Sequence, residues 1–344
     1  MLREFYLINQ NNIKELNRIS GQINNSKYEK IFCFPFNIYS QYLYKKISSK
    51  KKVFPVDNYS TKKGCLKPNE LNYKKNFLLV VTDKKLFLNQ DFKKNIIKIF
   101  FKPKLLNKKK INLDKKKLSK NNFNDLFSHF NTDKSKIFKR LDIKQKTNNY
   151  GPFYEKHLKH LKNNKLNILE IGSYMGSSSA AFVGYFKKAK LFCMDINHKN
   201  FIFKSKRIKL IDLDYMKKKE IKNFSDKYKN FFDIIIDDGG HYKSHILNNL
   251  KNFYKCLKKT RSVYIIEDYG LKFDYLNDIK NEPNIFKVIK FLKNSKTFKS
   301  KILNKKFQIQ LINSIEKINT HQGSWIKFKK NISDICFINI KKNT

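Results

Sequence analysis

Apolar and polar positions change their spacing several times along this chain, and the changes mark out its elements. Between Lys30 and Asp83 three apolar runs of strand length recur: KIFCFPF from Lys30, KVFPVDNY from Lys52 and NFLLVVTD from Asn76, all rich in aromatic and β-branched residues. A helical segment precedes them and another, Tyr39 to Ile47, separates the first two, so the spacing predicts βαβ construction in the first hundred residues. A second succession begins at Leu166, where NILEI, AKLFCMD, KLIDLD, FFDIII and SVYII alternate with helical stretches such as SHILNNLKNFYKCLKK. That alternation predicts a parallel sheet with helices on both faces. Phe123 to Lys165 reads as helical pieces, and FQIQLINSI from Phe307 and DICFINIKK from Asp334 read as two strands that finish the sheet as an antiparallel pair. The expected fold class is α/β: a doubly wound, Rossmann-like sheet over residues 123–344 and a smaller N-terminal α/β accessory domain over residues 1–101.

Length agrees with two domains, since 344 residues exceed one average domain. The stretch between them, residues 102–122, is read as a linker: Lys102 to Lys120 holds nine lysines against one acid, Asp114, and like charges at that density repel and stay extended. Its alternative reading is a docking strip for an anionic membrane surface or RNA. Over the whole chain 75 Lys+Arg against 28 Asp+Glu leave a formal charge of +47, which taken alone suggests a nucleic-acid or membrane partner. Only five of the basic residues are arginines (Arg3, Arg18, Arg140, Arg207, Arg261), however, and readers of phosphate and bases lean on the arginine fork. The excess is dispersed lysine, as drift toward A+T-rich codons produces, and nucleic acid is therefore not the expected partner.

A hydrophobic fraction of 40% supports a packed core and excludes wholesale disorder. No apolar run approaches the roughly 20 residues of a membrane-spanning helix, and the start, MLREFYLINQNN, lacks a signal peptide's apolar stretch, so the expected compartment is the cytoplasm. Five cysteines, far apart and without a CxxC pair, argue against a disulfide framework or a structural zinc site.

Only ten glycines serve the chain, and Gly172 and Gly176 both fall between the strand NILEI and the helical SSSAAFVGYF. At a strand-to-helix turn, glycine permits backbone angles and close approach that a Cβ would block, and the helix offers free N–H groups. The next strand ends in Asp195, where a carboxylate can accept the two hydroxyls of a ribose. Instead of a dinucleotide GxGxxG the pattern is Glu170-x-Gly172-x-x-x-Gly176, and an acid before the first glycine suits a cationic, phosphate-free ligand such as S-adenosylmethionine (SAM). These residues resemble the first two motifs of class I SAM-dependent methyltransferases. The resemblance implies that Gly172 and Gly176 pass under the methionine moiety and that Asp195 holds the ribose. Asp214, after the third strand, stands where such enzymes often contact the adenine amino group; a surface acid in a loop is an equal reading.

Strand four ends in Asp237, Asp238, Gly239, Gly240 and His241, and strand five in Glu267 and Asp268. Neighbouring strands would bring Asp238, Glu267 and Asp268 to one point at the C-terminal edge of the sheet, and three carboxylates form a hard oxygen site suited to Mg²⁺. The paired motifs DDGGH and IIEDY, preceded by FNTDKSK from Phe130 and YGPFYEKHL from Tyr150, resemble the metal-dependent sugar O-methyltransferases of macrolide and bacterial glycan tailoring. That resemblance implies that Asp238, Glu267 and Asp268 ligate Mg²⁺ while His241 is the general base, imidazole being the side chain whose charge changes near neutral pH. Tyr150 and Tyr154 line the cofactor or acceptor pocket or belong to the core. The competing reading of the cluster is that His241 caps a helix and the acids pair with lysines.

The N-terminal layout in turn resembles the nucleotide-sugar-associated Rossmann half-domains found beside sugar-tailoring enzymes. Phe34, Pro35 and Phe36 stand where the pyrophosphate-binding glycines would be, which implies that dinucleotide binding is lost. The expected function is SAM-dependent methylation of a sugar hydroxyl on a glycan or glycosylated metabolite, by a chain of a kind that commonly forms homo-oligomers. The alternatives are an RNA methyltransferase and a non-catalytic polyanion-binding protein that kept the fold.

Overall fold

The computed structural model describes residues 10–34, 38–47, 51–56, 66, 71, 78–81, 98–100, 110–115, 120–140, 143–145, 147–214, 217–270, 279–324, 326–327, 330–331 and 333–341. The chain divides into two compact units, Met1–Lys108 with Lys139–Lys144, and Lys109–Phe138 with Gln145–Thr344. Asp57, Gly64, Cys65 and Trp325 lie outside the described residues.

In the first unit α1 (Gln10–Asn24), β1 (Lys30–Phe34), α2 (Ile38–Lys46), β2 (Lys52–Pro55), β3 (Leu78–Val81) and β4 (Lys98–Phe100) follow one another. The sheet order is β2-β1-β3-β4, and every pairing is parallel. Side chains of successive strand residues point to opposite faces, so Ile31, Cys33, Leu78 and Val80 pack with Leu16, Ile19 and Leu43 of the helices. Phe32, Phe34, Leu79 and Val81 form a separate core with Val56 and Leu71. Both faces are apolar, as a parallel sheet requires.

The second unit begins with β5 (Ile111–Asn112) and α3 (Phe123–His129); the two-stranded sheet of β6 (Phe138–Arg140) and β7 (Ile143–Gln145) comes next in the chain, and its Lys139–Lys144 portion belongs to the first unit. Next come α4 (Gly151–Leu158), β8 (Asn167–Ile171), α5 (Ser177–Tyr185), β9 (Lys190–Asp195), β10 (Phe203–Lys204), β11 (Ile208–Asp212), α6 (Lys218–Lys227), β12 (Ile234–Asp237), α7 (Lys243–Phe253) and β13 (Val263–Glu267). The chain then forms α8 (Ile285–Lys293), α9 (Lys305–Ser314), β14 (Ile315–Gln322), the short pair β15 (Ile326–Lys327) and β16 (Lys330–Asn331), and β17 (Asp334–Ile340). Seven strands make the main sheet in the order β11-β9-β8-β12-β13-β17-β14. Counted by place in the chain this is 3-2-1-4-5-7-6, the doubly wound Rossmann-like arrangement that the alternation predicts. The first five strands are parallel, and β17 runs antiparallel between β13 and β14.

Alternation along the strands sorts their side chains between two cores. Ile168, Ile234, Ile236, Val263 and Ile265 face α3, α4 and α5, together with Phe123, Tyr154 and Phe182. Leu169, Ile171, Ile235, Tyr264 and Ile266 face α6 to α9, together with Phe224, Leu250 and Val288. This parity decides where the acids at the strand ends point.

Two local expectations give way. FQIQLINSI is helix rather than strand: Asn304 caps α9 by accepting the Phe307 N–H at 2.9 Å, and Gln308 and Leu311 are buried one turn apart. The strand starts only at Ile315 and runs through a stretch far less apolar than the one before it, IEKINTHQ. Part of the lysine-rich stretch is tied into the second unit instead of standing free as a linker, although Lys110, Lys115 and Lys120 are exposed. Ile111 and Asn112 pair with Phe203 and Lys204, Leu113 is buried, and the Asp114 carboxylate accepts the Ser205 hydroxyl at 2.6 Å and the Lys206 N–H at 2.9 Å. Asp114, Ile111 and Leu113 hold this part in place against its like charge. Cys33, Cys193, Cys256 and Cys336 are free and buried, and among the described residues no helix is long and apolar enough to cross a membrane.

Candidate functional site

The sheet reverses its direction of growth between β8 and β12, which is where sheets of this kind form a ligand crevice at the C-terminal edge of their strands. Gly172 and Gly176 leave β8 with φ of +85° and +80°, in the left-handed region that a Cβ disfavours. Between them Tyr174 holds φ 43°, and the Gly176 N–H closes a turn on the Ser173 carbonyl at 2.8 Å. A Cβ on Gly172 would lie 2.1 Å from the Asp238 carbonyl oxygen, so the glycine is needed where the β8 and β12 loops touch.

Asp195, at the end of β9, accepts the Tyr174 N–H at 2.7 Å and the Ile196 N–H at 2.8 Å, one on each oxygen. Each oxygen keeps a second lone pair, enough for two ribose hydroxyls. Asp214 is half-buried two residues beyond β11, next to Leu213, whose N–H donates to the Asp195 carbonyl at 2.8 Å. His198 went unnoticed in the sequence: Nε2 lies 3.2 Å from Ser173 Oγ and Nδ1 2.5 Å from Asp212, so it ties the glycine loop to the end of β11.

Glu170 departs from its expected position. It shares the parity of Ile168, is fully buried, and both carboxylate oxygens accept hydroxyls at the start of α5, from Ser178 and Ser179. It fastens the strand to the helix. Burial, partly offset by the two serines, pushes its pKa from an ordinary 4.5 up to about 7. With the folded value raised, the associated stability is fully present below about pH 4.5 and lost as pH climbs through 7. Relative to Glu170→Gln, the wild type should therefore lose on the order of 3 kcal/mol between pH 4 and pH 7.5. Urea unfolding of both proteins at the two pH values checks this, and an unchanged difference would refute it.

Beyond β12 and β13 the acids separate by parity. Asp237, aligned with Ile235, faces α7: it accepts Asn249 Nδ2 at 3.0 Å and the Tyr264 hydroxyl at 3.3 Å, and burial pushes its pKa up to about 7. Glu267, aligned with Ile265, faces the opposite core, where Oε2 meets the Lys134 ammonium at 2.5 Å and Oε1 accepts the Tyr154 hydroxyl. Asp238 follows the end of β12 with a half-exposed carboxylate; Oδ2 meets the same ammonium at 2.5 Å and Oδ1 lies 3.9 Å from His241 Nε2. Asp268 takes φ 53° just after β13, and its buried carboxylate accepts the Tyr150 hydroxyl and Asn148 Nδ2 at 3.1 and 3.2 Å. Burial pushes the Asp268 pKa up to about 6.

Asp238, His241 and Asp268 each offer a ligand atom within 4.8 Å of the other two. Of the expected carboxylate triad, this set includes Asp238 and Asp268 and adds His241, while Glu267 lies outside it with Oε2 on Lys134 and Oε1 on Tyr154. The two carboxylates are hard oxygen donors that fit a divalent cation, with the imidazole beside them. Lys134, Asn148, Tyr150 and Tyr154 hold the acids in place. For Tyr150 and Tyr154 the signal was available in YGPFYEKHL, at the start of α4.

No protein-family model matches the chain. Among curated proteins it is similar to the mycinamicin VI 2''-O-methyltransferase of Micromonospora griseorubida, with 25% identity over 126 residues that cover 35% of this chain and 31% of that protein. It is similar to the demethylmacrocin O-methyltransferase of Streptomyces fradiae at the same identity and coverage. The chain thus spans about a third of the length of these curated relatives. Among solved structures it is similar to the MycE methyltransferase of the mycinamycin biosynthetic pathway in complex with Mg, SAH and mycinamycin VI, with a TM-score of 0.47 and 18% identity over 65% of this chain and 56% of that one.

Proposed function

We propose that this protein is a SAM-dependent O-methyltransferase that acts on a sugar hydroxyl of a glycan or glycosylated metabolite, aided by a divalent cation such as Mg²⁺. The observation that carries the reading is the meeting of Asp238, His241 and Asp268 beside the Gly172 loop, at the switch point of the sheet. The two curated relatives, both named as O-methyltransferases, support it.

Gly172, Gly176 and Asp195 would hold SAM, which supplies an electrophilic methyl group. Asp238 and Asp268 would hold the cation, which makes a bound hydroxyl more acidic. The chain's own contribution is orientation and one proton transfer. His241 Nε2 would accept the proton of the acceptor hydroxyl as its oxygen takes the methyl group and the methyl–sulfur bond of SAM breaks to leave S-adenosylhomocysteine, and Asp238 Oδ1, 3.9 Å from that nitrogen, would stabilise the imidazolium that results. Asn148 and Tyr150 fix Asp268, Tyr154 fixes Glu267, and the water-poor surroundings of these groups strengthen each contact.

The test is transfer of labelled methyl from SAM to a panel of glycosides, with and without a chelator. Expected is product on at least one glycoside and a loss of about 10²-fold or more after divalent ions are removed. Methylation of RNA and of no glycoside, or failure to bind SAM at millimolar concentration, would sink the proposal.

A further inference from the structure

Lys134 takes no part in the reaction proposed above, yet its ammonium is the charge placed deepest among the carboxylates. Its side chain is 3% exposed, and it touches Asp238 Oδ2 and Glu267 Oε2 at 2.5 Å each. Among the described residues it is the only lysine or arginine within 4.0 Å of these two acids or Asp268.

We infer that Lys134 is a resident cation: it fills one of two cation positions in the carboxylate cluster, takes Glu267 out of the ligand set, and confines a divalent ion to Asp238 and Asp268. This rests on the reading of the cluster as a metal site. Three carboxylates and one ammonium leave two negative charges, the amount that one divalent ion balances. Asp133 adds its charge only from the exposed rim. The pairing also explains how three buried or half-buried acids can share a corner while no metal is bound, since an unpaired buried charge is strongly destabilising.

The chain holds the ammonium there by its backbone. The Lys134 N–H donates to Thr132 Oγ1 at 3.1 Å, the Lys134 carbonyl accepts the Gly151 N–H at 3.2 Å, and the Asn148 N–H donates to the Asp133 carbonyl at 2.7 Å. The turn that carries Lys134 is thus tied to the start of α4, the helix whose Tyr154 fixes the other Glu267 oxygen. A lysine suits this role because its charge is compact and reaches two oxygens of different residues at once.

Lys134→Met and the double variant Lys134→Met/Glu267→Gln test the inference on the full chain, by thermal melting in chelator and by Mn²⁺ titration. In chelator the single variant should melt roughly 10 °C below wild type, because Glu267 and Asp238 lose their cation. It should bind Mn²⁺ at least about tenfold more tightly, because a neighbouring positive charge is gone and Glu267 is free to ligate. The double variant, which removes the charge pair together, should melt close to wild type and bind Mn²⁺ about as wild type does. If the single variant does not fold, recovery of folding by the added Glu267→Gln carries the test, and no recovery overturns the inference. Melting of the single variant at the wild-type temperature, or Mn²⁺ binding no tighter than wild type, overturns it while leaving the metal site standing. If neither wild type nor the variant binds Mn²⁺, the metal site fails and the inference with it.

Discussion

His241→Ala should lower methyl transfer by about 10²- to 10⁴-fold while SAM affinity and melting temperature stay near wild type. The size follows from removing a positioned proton acceptor, and the selectivity follows from geometry. His241 has a side chain 25% exposed and, among the described residues, pairs with no group closer than Asp238 Oδ1 at 3.9 Å, so little packing depends on it. The groups assigned to SAM belong to β8 and β9 and are held by their own backbone bonds, at Tyr174 and Ile196. Because general-base catalysis acts in the transition state, kcat should fall with little change in the KM of either substrate. Turnover on a glycoside already shown to accept methyl, together with calorimetry of SAM binding, measures both halves. Wild-type turnover in the variant would remove His241 from the mechanism, and a parallel loss of SAM binding would make it a structural residue.

Much of this architecture was legible because strand and helix spacing are local properties. The apolar runs NILEI, KLFCMD, IIID and VYIIE became parallel strands, and the glycines between strand and helix took the left-handed angles that glycine alone takes easily. Which acid faces which way was harder, because it depends on parity relative to a core that only the assembled sheet defines. Glu170 and Glu267 fall on the side of α3 to α5 and Asp237 on the side of α7, so an acid adjacent in sequence to the cluster can be absent from it. Lys134 was invisible for a different reason. In a chain with 75 basic residues no composition argument singles out one lysine, and only the fold brings a residue more than a hundred positions upstream onto Asp238 and Glu267. The large positive charge is therefore not uniformly background: one member of it sits where chemistry is proposed, among the scarce acids.

Replacing Gly172 with alanine should give the largest loss of stability of any single substitution in the crevice, and it should take the cofactor site with it. Two independent penalties combine. The residue has φ +85°, which costs an L side chain about 1–2 kcal/mol, and its Cβ would meet the Asp238 carbonyl oxygen at 2.1 Å, the Asp238 carbonyl carbon at 2.7 Å and Gly239 Cα at 2.8 Å. All three are backbone atoms, and the Asp238 N–H is bonded to the Ile171 carbonyl at 3.0 Å, so neither loop can give way without breaking the edge of the sheet. Overpacking of this kind adds about 1–3 kcal/mol, for a total of about 2–5 kcal/mol, or a fall in melting temperature of roughly 5–20 °C. Gly176→Ala provides the contrast. It has a similar φ, but its Cβ would meet the Phe201 ring at 2.5 Å, and a side chain can shift where a backbone cannot. The expected order of melting temperatures is wild type, then Gly176→Ala, then Gly172→Ala. Because Gly172 is the point where the β8 loop rests on the residue that carries Asp238, SAM affinity and methyl transfer should fall together in that variant, in contrast to the split expected for His241→Ala. A Gly172→Ala protein that melts with wild type and binds SAM equally well would show that the two loops are not coupled at this contact.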